Sequence, residues 1–545
     1  MLTLFKARSI ITMNPSMPRA SAVLVRNGII LEVGEVENMQ PWLQGQQYQV
    51  DEQFAEQIIC PGFIDPHLHP SMAAVLLPME FITAMSWKLP WGEIEPVTDA
   101  RTFDQRMQEL HASKPADEPL FIWGYHQLWH GEMNKARINA VSGQRPIVVW
   151  HRSFHELYMN DATMRMAGID PEQIKPGMQI DIDNGHFFEV GLGFAINRLN
   201  PWILAPERYV QGLQRLKQVV HRGGHTSIGD LATGLFNLDT EAKALAEQLE
   251  GDDVPFRTRL VVHGTRLTQG GRRPEEGPEL AAALVARNSH RLHFGKHIKL
   301  FCDGAFFSQM AQLQEPGYID GHHGEWLAAP EDLERHIRAY WHAGYQIHVH
   351  VTGDLGVELT LDILQRMQDE KPRFNHGFTL EHFGFSTPEQ IRRIAALGAQ
   401  VSANVYYLHE LSDSYASTGI GYERASQMAR LGSCFAAGIN VTVHSDFTMA
   451  PAEPLNSMWV AVNRENHVGN TMGAAERLTQ QQGLEAITIN AAHAIGMADI
   501  TGSLRAGKKA DFTVLAEDPL TCDPMALCDL HIVATVFEGK VFPIQ

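Results

Sequence analysis

The sequence contains little cysteine. Its 545 residues include five cysteines, and no two of them form a C-x-x-C pair. They are scattered along the chain: Cys60, Cys302, Cys434, Cys522 and Cys528. An odd and scattered set indicates neither a disulfide framework nor a thiolate zinc site. It fits a reducing compartment, which favours the cytoplasm.

The chain is also short of positive charge and of long apolar runs. It has 44 lysines and arginines against 63 aspartates and glutamates, a formal net charge of −19. That balance argues against nucleic acid and anionic membrane as partners, since both require a basic face. No run approaches the roughly 18 apolar residues of a membrane span, and Lys6 and Arg8 interrupt the N-terminal apolar stretch where a signal-peptide core would lie. We expect a cytoplasmic protein with a small-molecule substrate, and a homodimer is compatible with the sequence.

Histidine, by contrast, is abundant, with 27 in the chain. Two of them, His67 and His69, end the apolar stretch IICPGFIDPHLHP. Side chains alternate faces along a strand, so these two imidazoles point the same way and suit a metal ion. The alternative is a pair of ordinary surface histidines, and the rest of the chain has to decide between the two.

The two ends of the chain have the pattern of small β units. Asn27-Gly28 joins two alternating apolar segments, a strong hairpin signal, and the segment after about Gly502 contains short strands separated by glycine turns. Neither end has enough apolar surface to fold alone. We therefore predict that residues 1–60 and 502–545 form one composite β-sandwich.

The middle of the chain alternates between strand and helix patterns. PEDLERHIRAYWHAG and TPEQIRRIAALG predict helices with proline in the first turn and glycine past the end, and YQIHVHV, FTLEH and INVTVHSD predict strands. Regular alternation implies a parallel sheet, most simply a (β/α)8 TIM-like barrel over residues 61–501. A segment of about 77–206, rich in Trp, His and Pro, breaks the rhythm and is predicted to be an insertion over the barrel mouth.

Side chains that could bind a metal or act in catalysis lie at or near the ends of successive strands of this predicted barrel. In barrel enzymes the chemistry lies at the C-terminal ends of the strands. The residues found there are His67, His69, Lys299, His348, His350, His382, His444 and Asp446. One such residue alone is more often a hydrogen-bonded structural group, but a full set at successive strand ends is hard to attribute to coincidence.

Several phrases resemble the metal-dependent amidohydrolase superfamily, in particular the amidohydrolase 3 branch that includes N-substituted formamide deformylases. They are PGFIDPHLH, IKLFCDGA, HVHVTGD, LEHFG, HSDF followed by AEPL, and GSLRAGKKADFTVL, and they span nearly the whole chain. The resemblance implies a barrel whose metals are bound by His67, His69, Lys299, His350, His382 and Asp446. His67 and His69 would bind the first metal, and His350 and His382 the second.

The resemblance also implies roles for Lys299 and Asp446. Lys299 would carry CO2 as a carbamate that bridges two divalent ions, most simply Zn2+. Asp446 would be catalytic, shuttling a proton from a metal-bound hydroxide to the departing amine. His348 lies one layer deeper and is expected to be structural.

These residues predict a hydrolase of a non-peptide carbon–nitrogen bond: an amide, formamide, carbamate or cyclic amide of a small, partly apolar molecule. Three alternatives remain open at this point. The same dinuclear site could hydrolyse a lactone or phosphoester, a deaminase could use one metal and leave Lys299 idle, or a binding protein could retain an old enzyme scaffold. The complete ligand set argues against the last.

The insertion supplies candidates to close the pocket. FHELYMN resembles a phrase of the branch and marks His155 as a catalytic, substrate-orienting group. The other candidates are Trp87, Trp91, Trp123, Trp129 and His126, although most of these aromatics are expected in the insertion's own core. The AFFSQM and ANVYYLHE phrases depart from the branch pattern, so substrate contacts are not carried over from any relative.

Overall fold

The computed structural model describes residues 2–175 and 177–544. Eight parallel strands lie side by side in the order of the chain. We label them β1 (Phe63–Leu68), β2 (His225–Thr233), β3 (Arg257–His263), β4 (Leu292–Phe301), β5 (Gln346–Val351), β6 (Thr379–His382), β7 (Gln400–Ala403) and β8 (Val441–Val443). The TIM-like barrel predicted from the strand–helix alternation is therefore confirmed.

Loop contacts bring the first and last barrel strands together. The backbone N–H of Asp446 donates to the carbonyl of His67 at 2.9 Å, and that of His69 donates to the carbonyl of Phe447 at 3.1 Å. β1 and β8 share no regular ladder, so these bonds nearly close the ring at its C-terminal end.

Helices cover the outside of the barrel and follow its strands. They are Pro70–Leu76, Pro206–Arg222, Leu238–Gln248, Gly264–Leu267, Gly277–Ala283, Pro330–His342, Asp354–Glu370, Pro388–Leu397, Tyr422–Ala425, Leu431–Ala436, Pro454–Asn463, Gln480–Ala486 and Ile489–Ala494. Pro388–Leu397 has the predicted signals: Thr387 and Gln390 form a capping box, and Gly398 ends the helix with φ of +70°. No helix in the described part of the chain has the length and apolar character needed to span a bilayer.

Strands from both ends of the chain pair in one eight-stranded sheet beside the barrel. In spatial order they are Lys540–Pro543, Ile532–Phe537, Phe512–Leu515, Ile58–Pro61, Leu2–Ile11, Arg19–Arg26 and Ile29–Gly34, with Gln49–Asp51 also paired to Leu2–Ile11. The short helix Gln40–Leu43 packs on one face. Phe5 and Phe512, one from each end, meet in the sheet's core with ring centroids 5.8 Å apart. The two ends thus share one apolar core.

The insertion lies between helices Pro70–Leu76 and Pro206–Arg222 and is an α/β unit in its own right. Its six-stranded sheet runs Ile180–Asp181, His186–Phe188, Glu156–Met159, Ile147–His151, Leu120–Tyr125 and Glu80–Phe81, and a separate hairpin joins Trp87–Leu89 to Gly92–Ile94. Its helices are Ala100–Ser113, Gln127–His130, Lys135–Val141, Asp161–Met166 and Val190–Ile203. One face of the sheet has its own apolar cluster, and the other joins the core of the barrel.

Candidate active site

Six buried side chains from the ends of five strands meet at the C-terminal end of the barrel. They are the residues predicted as metal ligands: His67 on β1, His69 just past it, Lys299 on β4, His350 on β5, His382 at the end of β6, and Asp446 in the loop after β8. Because the carboxyl ends of parallel strands face the same edge, residues far apart in sequence are brought together.

His67, His69 and Asp446 form the tightest group. His69 Nε2 lies 3.0 Å from Asp446 Oδ1, and His67 Nε2 lies 3.5 Å from the same oxygen. One ligand atom from each of the three falls within a span that a single metal ion could fill. Two imidazoles and a carboxylate are a donor set that suits zinc and similar ions.

Lys299, His350 and His382 lie next to this group. Lys299 Nζ is 3.4 Å from His67 Nε2, and the rings of His350 and His382 have centroids 4.3 Å apart. His382 Nδ1 is 3.6 Å from Asp446 Oδ2, which connects the two groups. Burial lowers the pKa of Lys299 to about 8, and no carboxylate among the described residues forms an ion pair with it.

Several ring nitrogens at the centre are buried without any hydrogen-bond partner among the described residues. They are His69 Nδ1, His350 Nε2, His382 Nδ1 and both nitrogens of His444. Burial also lowers the pKa of His67, His350 and His382 well below the ordinary value, which keeps these imidazoles neutral. Buried polar atoms normally have partners, and neutral imidazole is the form that binds metal. The residues present therefore fit a metal centre.

Two central residues were not assigned from the sequence. Glu381 lies between His67 Nδ1 at 2.7 Å and His348 Nδ1 at 2.6 Å. His444 stacks on His67 with ring centroids 4.4 Å apart and belongs to a second possible ligand group with His67 and His382. The phrases LEHFG and VHSDF contained both, but neither phrase indicated which side chains reach the centre. His348 is buried and its Nε2 contacts His297 Nδ1 at 3.2 Å, while its structural role stays a prediction.

The backbone at the centre takes an uncommon conformation. His382 has φ of +71° and Asp446 has φ of +53°, values that side chains other than glycine rarely adopt. The loop holding Asp446 is attached to β1: Ser445 donates from its hydroxyl to Asp65, and Asp446 donates its backbone N–H to His67. Such strain persists where surrounding contacts impose it, and it is common at functional sites.

Comparison with known proteins decides the family. The sequence model of the amidohydrolase family matches residues 56–543 of this chain. The chain belongs to the amidohydrolase family. It is a hydrolase enzyme, and its TIM-barrel architecture is that of its structural neighbours.

Individual relatives are distant but match almost the full length. The chain is 24% identical to N-substituted formamide deformylase of Arthrobacter pascens, over 95% of this chain and 94% of that protein. It is 24% identical to YtcJ of Bacillus subtilis, over 98% and 97%. A crystal structure of an uncharacterized metal-dependent hydrolase from Pyrococcus horikoshii superposes with a TM-score of 0.73 at 20% identity, covering 96% of this chain and 99% of that one.

The insertion of this amidohydrolase supplies His155 to the site. His155 lines the same cavity as five of the six predicted ligands; His67 is the one that does not line it. The ring centroid of His155 lies 5.5 Å from that of His350. Its Nδ1 is 2.8 Å from Glu189 Oε2. Burial alone would lower the pKa of His155, but the negative charge of Glu189 and their hydrogen bond raise it above the ordinary value. Glu189, with φ of +47°, was not found from the sequence.

The cavity above the centre has a volume of about 440 Å³ and opens between the barrel and the insertion. That is within the range of sites for small molecules. One part of its wall is apolar and is formed by Met72, Phe154, Leu192, Phe194, Leu235 and Met449. A substrate that reaches the centre therefore passes against hydrocarbon surface.

The tryptophans proposed to close the pocket do not line it. Trp87 and Trp123 are buried against each other in the core, with ring centroids 5.3 Å apart. Trp91, Trp129 and His126 also lie outside the cavity wall. Trp87 and Trp123 belong instead to the apolar cluster that the insertion shares with the barrel. The wall above the centre comes instead from the loop around Phe154 and from helix Val190–Ile203.

Proposed function

We propose that this enzyme is a metal-dependent hydrolase of a non-peptide carbon–nitrogen bond in a small, partly apolar molecule, with an amide, formamide, carbamate or cyclic amide as the scissile group. The observation that carries the proposal is the convergence of His67, His69, His350, His382 and Asp446, with buried ring nitrogens left without partners. A cluster of neutral imidazoles around a carboxylate is otherwise costly to bury.

Two divalent ions, most simply Zn2+, would be held by these residues together with Lys299. His67 and His69 would bind the first, His350 and His382 the second, and Asp446 would contact the first. Lys299 is a buried ammonium without a carboxylate partner among the described residues, a costly arrangement, so we propose that it carries CO2 as a carbamate. When bound, the ions supply an activated water and polarise the carbonyl of the scissile bond.

The protein's own groups would move the protons and orient the substrate. Asp446 is proposed to take a proton from the attacking water and pass it to the departing amine, since its oxygens face His69 and His382 at 3.0 and 3.6 Å. Glu189 holds His155 through Nδ1, which leaves Nε2 of His155 to hydrogen-bond the substrate carbonyl. The apolar wall selects a substrate with a hydrocarbon portion.

The test combines metal analysis with a substrate panel. Purified enzyme saturated with Zn2+ should hold two ions per chain and hydrolyse formamides or amides, while protein stripped by a chelator should be inactive until metal is restored. A lactone and a phosphodiester in the same panel separate the alternative bonds. One ion per chain under saturating metal would contradict the dinuclear centre, and activity confined to lactones or phosphodiesters would contradict the proposed bond.

The proposal extends to the setting of the enzyme, which we take to be the cytoplasm. The scattered cysteines and the negative net charge support a small-molecule substrate in a reducing compartment. Light scattering of the metal-loaded enzyme would distinguish a monomer from the homodimer that the sequence allows.

A further inference from the structure

Arg266 lies in the wall of the active-site cavity. It belongs to the short helix Gly264–Leu267, which follows β3 directly. It lines the cavity together with Lys299 and His350. Its guanidinium lies beside helix Val190–Ile203 of the insertion, where a Cβ added to Gly193 would be 3.9 Å from Nη2. The side chain therefore stands at the junction of barrel and insertion.

The guanidinium of Arg266 has no partner in the described part of the chain. It forms neither an ion pair nor a hydrogen bond, although an arginine carries five N–H donors. The other charged groups in the wall already have partners. Glu189 binds His155, and Lys299 and Asp446 belong to the proposed metal centre. Burial lowers the pKa of Arg266, with the charge of Glu241 opposing that change, but an arginine remains protonated at neutral pH.

The acid whose charge acts on Arg266 is not available to bind it. Glu241 is buried, and its carboxylate accepts hydrogen bonds from the backbone N–H groups of Gly234, Phe236 and Asn237. A half-buried cation without a counter-ion is costly, and a planar guanidinium matches a carboxylate in two parallel hydrogen bonds. The cavity thus presents an anion-binding group beside apolar surface from Leu192 and Phe194.

We propose that Arg266 binds a carboxylate on the substrate, so that the substrate class is a small amide carrying both an apolar group and a carboxylate. This inference rests on the proposed amide hydrolysis and adds to it the second recognition element. Arg266 is then a specificity-determining residue: the apolar wall receives the hydrocarbon group, and the metal centre receives the amide.

The first test uses two formamides that differ only in the carboxylate, N-formylphenylalanine (both enantiomers) and N-formyl-2-phenylethylamine. The Zn2+-loaded enzyme should have a kcat/KM about 10- to 100-fold higher for one enantiomer of the acid, the usual effect of hydrogen bonds to a charged group. Arg266→Met should remove this preference by lowering kcat/KM for the acid while leaving that for the amine derivative unchanged. Arg266→Lys should retain part of the preference. Arg273→Met, at an exposed arginine paired with Glu276, is the matched control and should leave kcat/KM unchanged for both substrates.

A binding measurement keeps the inference testable apart from turnover. Calorimetric titration of the Zn2+-loaded enzyme with 3-phenylpropionate should show binding that Arg266→Met weakens about 10-fold or more, with 3-phenylpropanamide unaffected. Because the guanidinium of Arg266 makes no hydrogen bond in the described part of the chain, the variant should fold normally. Equal binding of 3-phenylpropionate to both proteins would overturn the role of Arg266 and leave amide hydrolysis standing. Failure of the wild type to cleave any amide would overturn the proposed function instead.

Discussion

At the scale of single residues, Glu381 determines which nitrogen of His67 faces Lys299 and Asp446. Burial alone would raise the pKa of Glu381, but hydrogen bonding to His348 and the nearby positive groups lower it, so the carboxylate is ionised. An ionised carboxylate only accepts hydrogen bonds, and it lies 2.7 Å from His67 Nδ1. His67 Nδ1 must therefore carry the proton, which leaves the lone pair of Nε2 directed toward Lys299 and Asp446.

We predict that Glu381→Gln weakens metal binding without unfolding the protein. Glutamine keeps the shape but loses the charge, and its amide cannot accept from both His67 and His348. Loss of such an outer hydrogen-bond partner usually costs about 10- to 100-fold in metal affinity. Competition titration of Zn2+ against a chelator measures it, with Glu389→Gln on the surface as control. An unchanged zinc affinity in Glu381→Gln would show that His67 is oriented by other contacts.

Lys299→Ala and Asp446→Asn should both lose activity, but for different reasons. Lys299→Ala removes the proposed bridging group, so metal content and activity should fall together, and added small carboxylic acids should restore part of both. Asp446→Asn keeps an oxygen that can bind metal but cannot take up a proton at neutral pH. Its metal content should stay high while kcat falls about 10²- to 10⁴-fold, the usual contribution of a positioned general base. Near-normal turnover by Asp446→Asn, measured beside its metal content, would rule out the assigned proton transfer.

The alternation of side chains along a strand predicts the position of some active-site residues and not of others. His67 and His69 are two apart at a strand end, and their rings do lie together, 5.1 Å between centroids. Glu381 and His382 are adjacent, so alternation would send them to opposite faces. Both nevertheless reach the centre, and His382 has φ of +71°, a strained conformation outside the strand region that alternation assumes. No pattern in LEHFG indicates such strain.

At the scale of elements, the insertion illustrates what sequence patterns cannot specify. Its aromatic content suggested a cover over the barrel mouth, and residues from Ser153 to His155 and from Glu189 to Asn197 do line the cavity. Its six-stranded sheet was not predicted, because strands of two to six residues acquire their partners from distant segments: Glu80–Phe81 pairs with Leu120–Tyr125, and Glu156–Met159 pairs with His186–Phe188. Short patterns carry no information on such pairing.

The strand that follows His155 contains a buried acid, Glu156, which makes the insertion's stability depend on pH. Its carboxylate accepts from the Tyr158 hydroxyl at 3.2 Å and contacts His186 Nε2 at 2.6 Å. Burial alone would raise its pKa, but the charge of His151 and the His186 hydrogen bond lower it from 4.5 to about 2. The folded pKa is below the unfolded one, so the stabilisation is present above pH 4.5 and is lost as pH falls toward 2.

We predict that Glu156→Gln lowers the free energy of unfolding at pH 7 by about 1–3 kcal/mol, the cost of weakening hydrogen bonds to a buried charged group. The difference from wild type should shrink as pH falls through this range. Urea unfolding of the metal-free proteins at several pH values measures it. Glu109→Gln, at an exposed acid of the same insertion, should stay within about 0.5 kcal/mol of wild type. A difference that grows on acidification would contradict the lowered pKa of Glu156.

At the scale of the whole molecule, a buried ion-pair network ties the terminal sheet to the barrel. Arg257, on β3, donates to both oxygens of Asp511, which directly precedes the C-terminal strand Phe512–Leu515. The same guanidinium donates to Glu538 at 3.2 Å, and Asp511 accepts the backbone N–H of Glu538 at 3.0 Å. The sequence predicted that the two ends join each other, from their lack of apolar surface. It did not predict this bond to the barrel, because both partners look like surface charges.

Asp511→Asn should therefore destabilise the whole protein by about 3 kcal/mol, the lower end of the cost of breaking a buried pair, since Glu538 still offsets part of the Arg257 charge. Urea unfolding of the metal-loaded enzyme at pH 7 measures the loss. Glu52→Gln, which breaks the exposed pair with Lys6, should cost less than about 1 kcal/mol. The double variant Arg257→Met with Asp511→Leu should recover part of the loss, because the charges of Arg257 and Asp511 are removed together and Glu538 keeps its ion pair with Lys509 at 3.2 Å. If Asp511→Asn is as stable as Glu52→Gln, the terminal sheet is held to the barrel by its apolar contacts alone, and the network adds nothing to the unfolding free energy.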